Sequence, residues 1–165
     1  MTQNFQKTVS HNIVRRIYVD TSVVGGMFET EFQQRTEPFW DAVRNGTIIA
    51  VISNILADEL VNAPPHVREF FTRLPEAHIE RVTATEDSDM LADRYIAAGV
   101  VGKTSRDDCR HIGLATVSRA DVLVSWNYKH IVNINRIQGY NGVNLMHDYP
   151  TIEIRTPDEV INEEI

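Results

Sequence analysis

Three acidic side chains in this sequence stand where a solvated surface charge would not be placed: Asp20, Glu59 and Asp108. Asp20 ends the run Arg16-Ile17-Tyr18-Val19-Asp20-Thr21-Ser22, which continues into Val23-Val24-Gly25-Gly26. Apolar, β-favouring residues leading into a carboxylate and two hydroxyls predict a buried strand whose last residue emerges at a turn. In open α/β sheets ligands bind beyond the carboxyl ends of the strands, so an acid at that point can do chemistry; a turn-initiating or capping aspartate is the ordinary alternative. Glu59, in Ile55-Leu56-Ala57-Asp58-Glu59-Leu60, shares a helix face with Ile55 and Leu56, whereas Asp58 does not. A carboxylate turned toward a core needs a cation, hydrogen bonds or a buried arginine as partner. Asp108 falls at helical spacing with Ile112 and Ala115, while Asp107 aligns with Arg110, His111 and Leu114. Asp108 is therefore the inward acid of the pair, although Ser105 and Asp108 also have the spacing of a capping box. Carboxylates gathered in this way are the donor set of a hard divalent cation, through which a phosphate can bind.

The elements that must position these acids follow from periodicity and punctuation. Ile13 to Val19 reads as a first strand. A short helix covers Glu37 to Val43, before the stop signal Asn45-Gly46. Thr47 to Ile52 is a second buried strand, after which Ser53 or Asn54 caps a helix running to about Asn62. Pro64-Pro65 ends that helix, and another covers Val67 to Arg73. His78 to Val82 alternates as a third strand, Thr85 introduces a helix to Ala98, and Ser105 opens one to about Ser118. Val122 to Ser125 and Ile152 to Ile154 are short further strands. Helices alternating with short apolar strands predict a mostly parallel sheet covered on both faces. Residues 1–12 are polar and unpatterned and are expected to form a loose terminal segment, followed by a single domain over 13–165.

Composition bounds what such a site can serve. The 165 residues are 42% hydrophobic, enough for one compact domain with a full core. No apolar run approaches a membrane span, and the opening residues lack a signal-peptide apolar region. The single cysteine, Cys109, excludes an internal disulfide framework and points to the cytoplasm; it reads as a packed small residue. Sixteen basic against 23 acidic residues give a formal charge of −7, which argues against a surface that coats nucleic acid but not against a metal-dependent enzyme acting on it. Lys103, Arg106, Arg110 and Lys129 fall near the expected rim, as phosphate contacts or as ordinary solvated charges. His111 and His130 read as acid–base groups or as structural histidines. There is no Gly-rich Walker-type loop.

Taken together and in order, the strand ending in Asp-Thr-Ser, the Glu inside an apolar helix after the second strand, Asp108 with His111-Ile112-Gly113-Leu114-Ala115-Thr116, and Ala120-Asp121-Val122-Leu123-Val124-Ser125-Trp126-Asn127 resemble a PIN domain. The resemblance covers about residues 13–155 and is nearest to VapC-like toxins of toxin–antitoxin pairs. It implies a three-layer α/β/α sandwich with a central, mostly parallel sheet and a Mg²⁺- or Mn²⁺-dependent ribonuclease. It also implies an RNA substrate, an antitoxin partner and a homodimer. By the family's pattern Asp20, Glu59 and Asp108 occupy three acidic positions, with Asp20 and Asp108 as direct metal ligands and Glu59 acting directly or through water. The sequence departs from that pattern at the fourth position, where Asn127 stands in place of an aspartate. A neutral amide oxygen can orient water or ligate weakly but adds no charge, and Asn127 also reads as the cap of a turn over Tyr128 to Ile131. Two alternatives stay open: a PIN-like binding module without catalysis, motivated by Asn127, and a phosphohydrolase with Asp20 as nucleophile.

Overall fold

The computed structural model of the chain describes residues 13–163; the expectation for residues 1–12 lies outside them. Five strands, β1 (Arg15–Val19), β2 (Ile48–Ser53), β3 (Ile79–Val82), β4 (Val122–Val124) and β5 (Glu153–Arg155), form one sheet of order β3-β2-β1-β4-β5. Every neighbouring pair is parallel, with Ile17 beside Ala50 and Tyr18 beside Leu123. Alternation along each strand divides the core in two. Ile17, Val19, Ile48, Ala50, Ile52, Val122 and Val124 point to one face of the sheet. Tyr18, Val51, Leu123 and Ile154 point to the other.

Helices cover both faces. On the first lie α1 (Thr21–Gly25), α2 (Gln33–Arg44), α4 (Pro65–Thr72) and α8 (Pro157–Asn162), which bury Val24, Phe39, Trp40, Val67 and Val160. On the second lie α5 (Glu86–Ala97), α6 (Arg106–Val117) and α7 (Ile134–Met146), which bury Leu91, Tyr95, Ile112, Ala115 and Tyr140. The short α3 (Asn54–Glu59) divides its apolar residues, Leu56 to the first cluster and Ile55 to the second. Burying each such large side chain contributes roughly 1.5–3 kcal/mol, and a parallel sheet needs both faces covered to collect it. The expected three-layer α/β/α sandwich is the observed architecture.

The differences from the sequence reading lie in helices. α2 begins a turn before Glu37 and carries Pro38 within it. α3 stops at Glu59 rather than near Asn62. α1, α7 and α8 have no counterpart in the periodicity: α1 ends in Gly25 beside Gly26, and α7 holds Gly139, Gly142 and three asparagines. Among the described residues no helix is long and apolar enough to cross a membrane.

The strand order fixes where a ligand can enter. From β1 the chain steps outward to β2 and β3 on one side, then places β4 and β5 on the other. The carboxyl ends of β1 and β4 therefore flank the switch point of the sheet, the place where the connections diverge and leave a crevice.

Candidate functional site

Asp20 is the residue immediately after β1, and its backbone N–H donates to the Val124 carbonyl at 3.1 Å, which extends the β1–β4 pairing by one step. It precedes α1 but makes no side-chain capping bond. Its Oδ2 instead accepts from Ser22 Oγ at 2.6 Å and from Ser125 Oγ at 2.8 Å. The loop after β4 is held to the same point, because the Trp126 N–H donates to Ser22 Oγ at 2.9 Å and the Asn127 N–H to Ser125 Oγ at 3.0 Å. Asp20 is 5% exposed. Both hydroxyls use one carboxylate oxygen, leaving Oδ1 with His111 Nε2 at 3.7 Å.

Asp108 enters from the first turn of α6. The capping box with Ser105 does not form, since Ser105 makes no side-chain capping bond. Asp108 Oδ2 meets His130 Nδ1 at 3.1 Å. Burial, and then the charge of Asp20, raise the Asp108 carboxyl above its ordinary range, against a smaller opposing pull from His130 and His111. The two aspartates thus sense one another across the switch point. Asp107 is exposed. Asn127 does cap a turn: its Oδ1 accepts the His130 N–H at 2.9 Å, and its own carbonyl accepts the N–H groups of Ile131 and Val132.

Glu59 differs from the expectation that it points into the core. As the last residue of α3 it reaches over the end of the sheet with its side chain 38% exposed, and its partner is a histidine rather than an arginine. His111 Nε2 lies 3.1 Å from Glu59 Oε1 and 3.4 Å from Thr21 Oγ1, and its Nδ1 lies 2.8 Å from the Tyr18 hydroxyl. Burial alone would raise Glu59, but hydrogen bonds from His111 and Thr21 hold it below the ordinary carboxylate range. His111 is 1% exposed, and although burial disfavours its charge, Glu59, Asp20 and Asp108 together raise it. Burial pushes the Tyr18 phenol far up, so it remains a neutral hydroxyl, and Ser53, the N-cap of α3, bonds it as well. A carboxylate only accepts, so His111 carries its proton on Nε2 toward Glu59, and neutral His111 accepts from Tyr18 at Nδ1.

The fold therefore brings Asp20, Asp108, Asn127 and Glu59 to the carboxyl ends of β1 and β4, with the Ser125 hydroxyl among them. Sequence reasoning undervalued the two histidines. His111 sits one turn beyond Asp108 on α6, and His130 three residues beyond Asn127; those spacings were the available signal. Lys103 and Lys129 are exposed, whereas Arg106 pairs with Asp93 and Arg110 with Asp89. Cys109 is buried with its thiol pushed up to about 12, chiefly by burial, and is no nucleophile.

Among the described residues no three His, Cys, Asp or Glu side chains stand close enough together to hold a metal ion. The donor set nonetheless suits a hard cation of modest demands. Mg²⁺ and similar ions take one or two carboxylates and complete their shell with water and phosphate oxygens, and Asp20 with Asp108 supplies two mutually repelling carboxylates in one crevice.

The parallel five-stranded α/β/α sandwich matches a PIN-like fold. Among solved structures it is similar to a chain from the crystal structure of VapBC2 from Rickettsia felis bound to a DNA fragment from their promoter. The match has a TM-score of 0.53, covers 86% of this chain and 98% of that one, and has 12% sequence identity. At that identity the likeness is one of fold. No protein-family model and no curated protein matches the sequence.

Proposed function

We propose that this protein is a Mg²⁺- or Mn²⁺-dependent endoribonuclease and acts as the toxin of a toxin–antitoxin pair. The observation that carries the reading is the placement of Asp20, directly after β1, and Asp108, in the first turn of α6, at the same end of the sheet, where burial and then the Asp20 charge raise the Asp108 carboxyl. Two carboxylates placed so are a donor set that a hard divalent cation can use. Asp20 and Asp108 would hold the ion and Glu59 would act through a water. When bound, the ion would acidify a water and neutralise charge on the scissile phosphate. The chain's own residues do the rest. Ser22 and Ser125 fix the Asp20 carboxylate, His130 orients Asp108, and the Tyr18–His111 pair fixes Glu59, which can then accept a proton from attacking water. Asn127 holds the loop after β4 in a turn across the crevice.

An antitoxin partner is supported by the VapBC2 neighbour, a complex bound to promoter DNA, and by the sequence resemblance to VapC-like toxins. A homodimer and a cytoplasmic site of action belong to the same proposal. A second reading, a PIN-like binding module without catalysis, is favoured by one observation: Glu59 is engaged by His111 instead of completing a three-acid cluster. RNA cleavage in Mn²⁺ or Mg²⁺ by wild type and Asp20→Asn decides between them. The ribonuclease should lose about a hundredfold or more on Asp20→Asn. Activity that survives the substitution, or is missing from wild type with both metals, refutes it.

A further inference from the structure

The loop after β4 that carries Ser125 and Asn127 into the crevice also turns side chains outward beside it. Tyr128 is 48% exposed, although it directly follows Asn127. Beneath it the loop is anchored by Trp126. Trp126 is 6% exposed, its indole N–H donates to Thr36 Oγ1 at 2.9 Å, and its ring lies 5.0 Å from that of Phe32. The Arg35 guanidinium lies over the Trp126 ring at 4.7 Å, is fixed by Asp158 at 2.8 Å, and reaches the Tyr128 hydroxyl at 3.5 Å. Lys129 is exposed, and among the described residues no ion pair involves it. A half-exposed tyrosine ring thus stands beside the site with its hydroxyl near Arg35, and the exposed Lys129 follows it in the chain. At no more than about 3.5 Å per residue, Tyr128 stays within about 10 Å of Ser125, whose hydroxyl holds Asp20.

We propose that Tyr128 is a stacking platform for an unpaired nucleobase next to the scissile phosphate, with Lys129 facing a phosphate that flanks that base and Arg35 holding the tyrosine hydroxyl in place. The site then takes single-stranded RNA and rejects duplex, because a base held in a helix presents no free face to the ring. This rests on the ribonuclease reading for its substrate, yet it can be tested by binding alone.

The probe is a short fluorescein-labelled unpaired RNA, compared with a hairpin of the same composition. Anisotropy is measured in EDTA, where the probe stays intact, for wild type, Tyr128→Ala, Tyr128→Phe and Lys129→Ala, each first shown to melt cooperatively. Tyr128→Ala should weaken the unpaired RNA on the order of tenfold or more, while Tyr128→Phe stays within about twofold. Lys129→Ala should weaken both RNAs alike and lower the salt dependence, as a phosphate contact does. In cleavage assays Tyr128→Ala should raise KM with kcat little changed. RNA binding through Tyr128 by a wild type that cleaves nothing would support the platform and sink the ribonuclease. Cleavage whose KM ignores Tyr128→Ala would sink the platform alone, as would equal affinity for hairpin and unpaired RNA. Unchanged RNA affinity in Tyr128→Ala would overturn the proposal and assign the ring to a protein contact.

Discussion

Asp107 and Asp108 are neighbours in the first turn of α6, yet one is solvated and the other faces Asp20 and His130. Asp108→Asn should therefore cut RNA cleavage by about a hundredfold or more, with Asp107→Asn close to wild type in the same assay. The reverse pattern would put the site on the wrong face of α6. His111 makes a separable prediction in metal-free buffer. Glu59 is held below its ordinary 4.5, so its contribution to stability is present above that value and lost as pH falls through the lowered pKa. His111 is raised above its ordinary 6.5, so its contribution is complete below 6.5 and lost as pH rises through the raised value. The pair is charged on both sides between those limits. The melting-temperature gap between wild type and His111→Gln should be widest between 4.5 and 6.5 and narrow in alkaline buffer. A gap that stays constant with pH would mean the bond to Glu59 acts as a neutral hydrogen bond. Which of its two readings holds for His111 was not legible, because its buried partner, the Tyr18 hydroxyl, lies 93 residues away on β1. Local spacing places His111 on the polar stripe with Arg110, and nothing local reports a strand residue whose polar tip meets it from across the sheet.

At the scale of elements, α5 and α6 are in close contact at Gly113, where an added Cβ would lie 2.6 Å from the Ser88 carbonyl oxygen and 3.4 Å from the Ala92 nitrogen. That carbonyl belongs to the first turn of α5, whose capping box between Thr85 and Ser88 holds it in place. Gly113→Ala gains up to about 1 kcal/mol of helix propensity but overpacks a backbone contact worth roughly 1–3 kcal/mol. The melting temperature should fall by several degrees, at about 2–4 °C per kcal/mol in a chain of this size. An unchanged or higher value would show that α5 slides aside. The same pair shows what is legible in sequence. Thr85 as an N-cap and the inward side of Asp108 are local patterns, and the structure realises them. Glu59 was legible in direction but not in depth, because its place at the very end of α3 takes it out of the core. α7 was not legible: Gly139 and Gly142 are poor helix formers, and Asn144 is fully buried with bonds to Tyr95, Thr116 and Asn141 that no local pattern reports. α8 did carry a signal, since Thr156, Pro157 and Glu159 form a capping box with proline at the start.

For the molecule as a whole, the formal charge of −7 and the convergence of strand ends set up one conflict. Burial, and then the charge of Asp20, oppose the ionisation of Asp108, and His130 and His111 compensate only in part. The metal-free protein should therefore be destabilised at neutral pH, where Asp108 must be charged beside Asp20. A cation that binds the folded state alone stabilises it by RT ln(1 + [L]/Kd), roughly 2.7 kcal/mol at a hundredfold excess over Kd. Mn²⁺ should raise the melting temperature of wild type, and EDTA should abolish the gain. Asp20→Asn is the clean probe of this conflict. Its amide oxygen can still accept from Ser22 and Ser125, so the turn after β1 keeps its hydrogen bonds while the charge facing Asp108 disappears. In EDTA Asp20→Asn should melt at or above wild type, and Mn²⁺ should no longer shift it. A variant that melts lower than wild type in EDTA and still gains stability from Mn²⁺ would make Asp20 a structural turn residue and move any cation elsewhere.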